Sequence, residues 1–140
     1  MNSKDSNRSK KTSAPLLNSA TDKDATMPLL KIQTNTPLDA GRKAALAASA
    51  SRAVADMLGK PERYVMVSVE ENPSMLFAGS DAPLAYLELK SIGLPVAGGE
   101  ACSAALAALL AEQLDLPAER VYIEFADVPP DRWGWNGGTF

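Results

Sequence analysis

Pro28 follows Met27 at the junction DATMPLLKI, residues 24–32, and its chemistry depends on what precedes it. Inside a chain its nitrogen is an amide with no useful basicity. At a chain start it is a secondary amine, and an ordinary α-amino group has a pKa of roughly 8. An apolar pocket and a neighbouring cation both disfavour the ammonium form and lower that value towards the range where a general base works best. Leu29, Ile92, Trp135 and Phe140 are candidates to line such a pocket. Other acid–base groups are few. The 140-residue chain has no histidine, which excludes histidine triads and histidine metal sites. Its single cysteine, Cys102, excludes an intrachain disulfide framework and a cysteine-rich zinc site. Lysine, tyrosine and carboxylates complete the list. A proline that merely opens a strand is the commoner case, so the local sequence leaves both roles open.

Composition bounds what could hold these residues. Apolar content is 46% and the length suits one domain with a modest core. The net charge of −3 offers no basic face to collect phosphates, and no apolar run is long enough to span a membrane. The charge is uneven: residues 1–26 carry a net +2 and residues 27–140 a net −5. Segment 1–26 is rich in Ser, Thr, Lys and Asn without hydrophobic periodicity, so it is expected to be a disordered leader. It lacks the apolar core of a secretory signal, and Asp5, Asp22 and Asp24 weaken a transit-peptide reading. The expectation is that the working domain is 27–140, with translation or cleavage at Met27.

From Leu29 onward the pattern repeats. LLKIQTN alternates as a strand with Leu30 and Ile32 on one face. Residues 36–59 read as a helix with a stripe of Leu46, Ala50, Ala53, Val54 and Met57, stopped by Gly59. RYVMVSVEE alternates again, placing Val65, Val67 and Val69 opposite Tyr64, Met66 and Ser68. In the second half, LAYLELKS is strand-like and GLPVAGG a turn. EACSAALAALLAEQLDL is a helix with Cys102, Leu106, Leu109 and Leu110 inward, and VYIEFAD is a strand. The joints LGKPERYVMVSVEE and LDLPAERVYIEFAD match in kind. Two tandem β-α-β units follow, each with a crossover helix between parallel strands. The expected class is α/β (α+β): a four-stranded mixed sheet with both helices on one face. The other face carries Tyr64, Met66 and Tyr122, which suggests burial against further subunits.

The ordered set MPLLKIQTN, GKPERYVMV, FAGSDAP, KSIG, DLPAERVYIEF and WGWNGGTF resembles the macrophage migration inhibitory factor family of the tautomerase superfamily, over residues 27–140. The resemblance implies a homotrimer of β-α-β-β-α-β protomers, with sheets lining a central channel and active sites at subunit interfaces. It implies keto–enol tautomerase activity without metal or cofactor, an intramolecular oxidoreductase of the phenylpyruvate tautomerase or L-dopachrome isomerase type. The substrates implied are small aromatic 2-oxo acids and dopachrome-like compounds; neither a nucleic acid nor a membrane is an expected partner. Animal members also act as cytokines, so a non-enzymatic trimeric binding protein is the alternative, and decarboxylation of an oxo acid a third option.

Site residues follow position by position. Pro28 matches the family's proton-shuttling base. Lys60 matches an anchor for the substrate carboxylate; its ordinary role would be to complement a helix C-terminus. Ile92 matches a position whose backbone N–H faces the pocket, with Ser91 beside it. Tyr122 matches a tyrosine that reaches into a neighbour's pocket, and a packed interface tyrosine is the other reading. Glu124 falls where animal members with dopachrome activity carry asparagine. A carboxylate there should repel an anionic substrate or pair with Lys60, giving weaker turnover. Trp133 stands where the family often has a smaller aliphatic residue, and should narrow the entrance or offer a stacking surface. Trp135 and Phe140 complete the substrate-binding set. The family's Cys-x-x-Cys motif falls on Leu84-Ala85-Tyr86-Leu87, so thiol oxidoreductase chemistry has no residues here. Cys102 reads as a small core residue. Without a secretion signal or disulfides, a cytoplasmic location is expected, with export by another route or organelle import left open.

Overall fold

The computed structural model describes residues 27–94 and 98–140. The leader, and Pro95, Val96 and Ala97 of the expected turn 93–99, lie outside the described residues. Two compact units are present, one formed by Met27–Val128 and the other containing Pro129–Phe140.

In the larger unit the chain runs β1 (Leu29–Thr34), α1 (Ala40–Leu58), β2 (Met66–Glu71), β3 (Ala85–Ser91), α2 (Gly99–Leu114) and β4 (Val121–Asp127). The sheet order is β2-β1-β3-β4. β1–β2 and β3–β4 pair in parallel, and the central β1–β3 pair is antiparallel. The mixed four-stranded sheet is as expected. Central strands alternate strictly: Leu30, Ile32 and Thr34 of β1 and Ala85, Leu87, Leu89 and Ser91 of β3 are all buried. They join Leu46, Ala50 and Val54 of α1 and Leu106, Leu109, Leu110 and Leu114 of α2 in one core, so both helices cover the same face. Each fully buried leucine contributes roughly 2 kcal/mol.

Helix α1 begins later than position 36. Pro37 and Leu38 stay outside it, and Asp39 is the N-cap, its carboxylate accepting the Arg42 N–H at 2.8 Å. At the other end Gly59 takes φ 63°. Lys60 N–H donates to the Ala55 carbonyl and Gly59 N–H to that of Asp56, a Schellman closure that needs the left-handed residue. The second repeat ends alike: Asp115 adopts φ 59° and donates to the Ala111 carbonyl. Each exit then has a proline and one 3-10 turn before the strand, Glu62–Tyr64 in the first half and Ala118–Arg120 in the second. This turn removes Tyr64 from the strand where alternation alone had placed it.

The smaller unit is a 3-10 turn, Pro130–Arg132, followed by a hairpin of β5 (Gly134–Trp135) and β6 (Gly138–Thr139). Its two turn residues, Asn136 and Gly137, both have positive φ, at 54° and 80°. That is the geometry Asn-Gly favours in a two-residue hairpin. Sequence periodicity is too short here to reveal two-residue strands.

Candidate active site

The start of β1 meets the end of β3. Leu29 pairs with Met66 on one side and Lys90 on the other, so Pro28 lies one step beyond, level with Ser91. The Pro28 carbonyl accepts the Met66 N–H at 2.9 Å. Pro28 and Ser91 are both among the fully buried side chains, on the helix-covered face. Ile92, 7% exposed, follows directly. Its turn is fixed by β4: the Asp127 carboxylate accepts N–H bonds from Gly93 at 2.9 Å and Leu94 at 3.3 Å. The Ser91 carbonyl also accepts the Val128 N–H at 2.9 Å. Gly93 holds φ 71°, which lets the chain turn away after Ile92.

Lys60 belongs to the same end. In a β-α-β unit the helix runs back against the strands, so its C-terminus returns to where the first strand began. The α1 exit, with Lys60 partly buried after Gly59, therefore leads through Glu62–Tyr64 to the β2 residue bonded to Pro28. Pro28, Lys60, Ser91 and Ile92 are thus gathered at one end of the sheet.

Tyr122 is not with them. It pairs with Tyr86, which pairs with Gln33, placing it towards the far end of the sheet. Its side chain is 66% exposed on the helix-free face. There its ring packs on Phe77 at 4.6 Å between centroids. Both border an apolar cleft of about 500 Å³ that also includes Met75, Leu76, Leu84 and Tyr86. The wall is held by Arg120, which donates to the carbonyls of Phe77, Ser80, Ala82 and Pro83 at 2.7–3.3 Å.

Glu124 shares the face with Tyr122, as expected, and has a partner that sequence reasoning missed. The Tyr86 hydroxyl lies 2.8 Å from Glu124 Oε1 and 3.0 Å from Glu88 Oε2. Glu88 Oε1 is 3.7 Å from Lys90 Nζ. The bond to Glu124 above all, then burial, the bond to Glu88 and the two negative charges raise the Tyr86 phenol well above its ordinary range. Alternation contained the signal, since Tyr86, Glu88, Lys90 and Glu124 fall on one face of adjacent strands.

In the smaller unit, Trp135 and Phe140 stack with ring centroids 5.9 Å apart and planes 9° from parallel. Phe140 N–H donates to the Trp133 carbonyl at 3.3 Å, so the hairpin assembles all three of its candidate residues. Cys102 is buried in α2. Among the described residues, no group of three or more Cys, Asp or Glu side chains is arranged to hold a metal ion. No described helix is long and apolar enough to cross a membrane.

Known proteins share this fold. The family profile described as Macrophage migration inhibitory factor (MIF) matches residues 27–140. A macrophage migration inhibitory factor homolog of Brugia malayi is 41% identical over 115 residues, 81% of this chain and 99% of that protein. One from Trichuris trichiura is 38% identical over 81% of this chain and 100% of its own length. The crystal structure of the homologue from Prochlorococcus marinus superposes with a TM-score of 0.75 at 41% identity, covering 80% of this chain and 98% of that one. With a matching profile over the whole described region and relatives of this identity at nearly full length, the chain belongs to the macrophage migration inhibitory factor family.

Proposed function

We propose that the domain is a keto–enol tautomerase of small aromatic 2-oxo acids and dopachrome-like compounds, working as a homotrimer without cofactor. The observation that carries this reading is the buried Pro28 at the strand end where Lys60 and the Ile92 turn also converge. With Pro28 as the first residue, its neutral amine removes a proton from C3 of the 2-oxo acid. The electron pair of that C–H bond forms the C2–C3 double bond, and the carbonyl pair moves onto oxygen. The prolinium then returns the proton to that oxygen, so one group serves as base and acid. Lys60 holds the substrate carboxylate, and the Ile92 N–H and Ser91 orient it; for Trp133, Trp135 and Phe140 the substrate-binding role rests on the family resemblance alone.

Tyr122 and Glu124 enter this reading from an adjacent protomer. The exposed apolar side chains Met66, Leu76 and Tyr122 favour such a neighbour. They would equally favour a trimer that binds a protein partner without catalysis, which is the second reading. The deciding assay is phenylpyruvate tautomerisation by a chain whose first residue is Pro28, with product analysis to detect decarboxylation. Pro28→Gly should lower kcat/KM by about 100-fold, the scale of a lost general base. Full retention of rate would remove Pro28 from the mechanism, and absence of any turnover would leave the binding reading. A cytoplasmic location is part of the proposal, and cell fractionation checks it.

A further inference from the structure

The Tyr86–Glu88–Glu124 cluster lies outside the Pro28 end of the sheet and none of the proposed steps uses it. A phenol has one proton to donate, yet two carboxylate oxygens lie within 3.0 Å of this one. The competition is unequal. Glu88 has Lys90 beside its other oxygen, whereas the shorter Tyr86 contact, 2.8 Å, is to Glu124. The hydroxyl therefore serves Glu124 first. In strand order, β4 is an edge strand and β3 its inner neighbour. A Tyr86 bond thus draws the Glu124 carboxylate inward over β3, whereas Tyr122, two residues earlier on the same face, is held by Phe77 instead.

We propose that Tyr86 is a positioning residue that sets charge specificity, by holding the Glu124 carboxylate over β3 and away from the path of an anionic substrate. The proposal rests on the reading above, in which Tyr122 and Glu124 border the pocket of an adjacent protomer. Glu124 stands where it would oppose the substrate carboxylate, and the Tyr86 tether reduces that opposition by fixing the charge at a distance and spreading it through a charge-assisted hydrogen bond. Freed from the tether, Glu124 can turn towards the entrance.

The experiment compares phenylpyruvate with its methyl ester, which lacks the negative charge, on the chain beginning at Pro28. Tyr86→Phe removes the hydroxyl and keeps the ring. Its KM for phenylpyruvate should rise about fivefold with kcat nearly unchanged, while its KM for the ester stays level. In a Glu124→Gln background the same substitution should leave both KM values unmoved. An unchanged phenylpyruvate KM in Tyr86→Phe overturns the proposal. So does an equal rise for acid and ester, which marks a packing defect, or a rise that persists with Glu124→Gln. Should Tyr86→Phe fail to fold, Glu124→Gln alone decides: removal of the opposing charge should lower the phenylpyruvate KM and leave that of the ester level, and an unchanged or raised phenylpyruvate KM overturns the proposal. Wild-type turnover that Pro28→Gly lowers about 100-fold keeps the tautomerase reading standing whatever these variants do, and absence of wild-type turnover removes both.

Discussion

Arg120 and Phe77 are joined twice: the guanidinium donates to the Phe77 carbonyl at 2.8 Å, and its central carbon lies 5.2 Å from the Phe77 ring centre. The same ring supports Tyr122, so one arginine fixes both the 77–83 turn and a proposed site residue. A lysine has the charge but not the planar fork that reaches several carbonyls. Arg120→Lys is expected to lower stability by about 2 kcal/mol, through lost charge-assisted bonds, as read from urea unfolding. The near-ultraviolet circular dichroism of Tyr122 should weaken with it.

Gly59 couples a backbone requirement to the position of Lys60. At φ 63° an alanine is strained even though no neighbouring atom crowds its Cβ. Gly59→Ala should cost about 1 kcal/mol. Because Lys60 N–H completes the same closure, the variant should also raise KM for a 2-oxo acid. Thermal denaturation and steady-state kinetics separate the two effects.

The 77–80 turn contains a residue of the wrong kind. Phe77 and Ser80 exchange both N–H bonds at 3.0 Å, with Ala78 at φ 54° and Gly79 at φ 73° between them. A two-residue turn with both φ values positive favours asparagine at its first position. Ala78→Asn should therefore stabilise the domain by about 0.5 kcal/mol, seen as a higher Tm.

Much of this architecture was readable in residue order, because strict alternation in β1 and β3 and a leucine stripe in α2 leave a single way to bury them. The repeated exits at Gly59 and Asp115 were visible as matching segments. Their 3-10 turns were not, since three residues have no period and Tyr64 fits a strand equally well. Pro28, Lys60 and Ile92 share a sheet end through pairing between distant segments, which no local pattern encodes; the family resemblance supplied it. Asp127 was overlooked for the same reason, because its role appears only when β4 lies beside the turn at Gly93 and Leu94.

Tyr86 offers a pH test. Its phenol is raised above the ordinary value of about 10, so the folded state holds that proton more tightly than the unfolded chain does. The resulting stabilisation is fully present below pH ~10 and is lost as pH rises through the higher, folded-state value. Absorbance at 295 nm should show a tyrosine phase displaced to unusually high pH, belonging to Tyr86. In Tyr86→Phe the late phase should vanish.

The antiparallel β1–β3 seam has a genetic consequence. Tyr122 is level with Gln33, five residues along β1 from Pro28, or roughly 17 Å. Under the proposed assembly, a lesion at Pro28 silences the subunit that carries it, whereas a lesion at Tyr122 silences a neighbour. Two defective alleles of these kinds, expressed together, would rebuild some intact sites in mixed trimers, while either alone would build none.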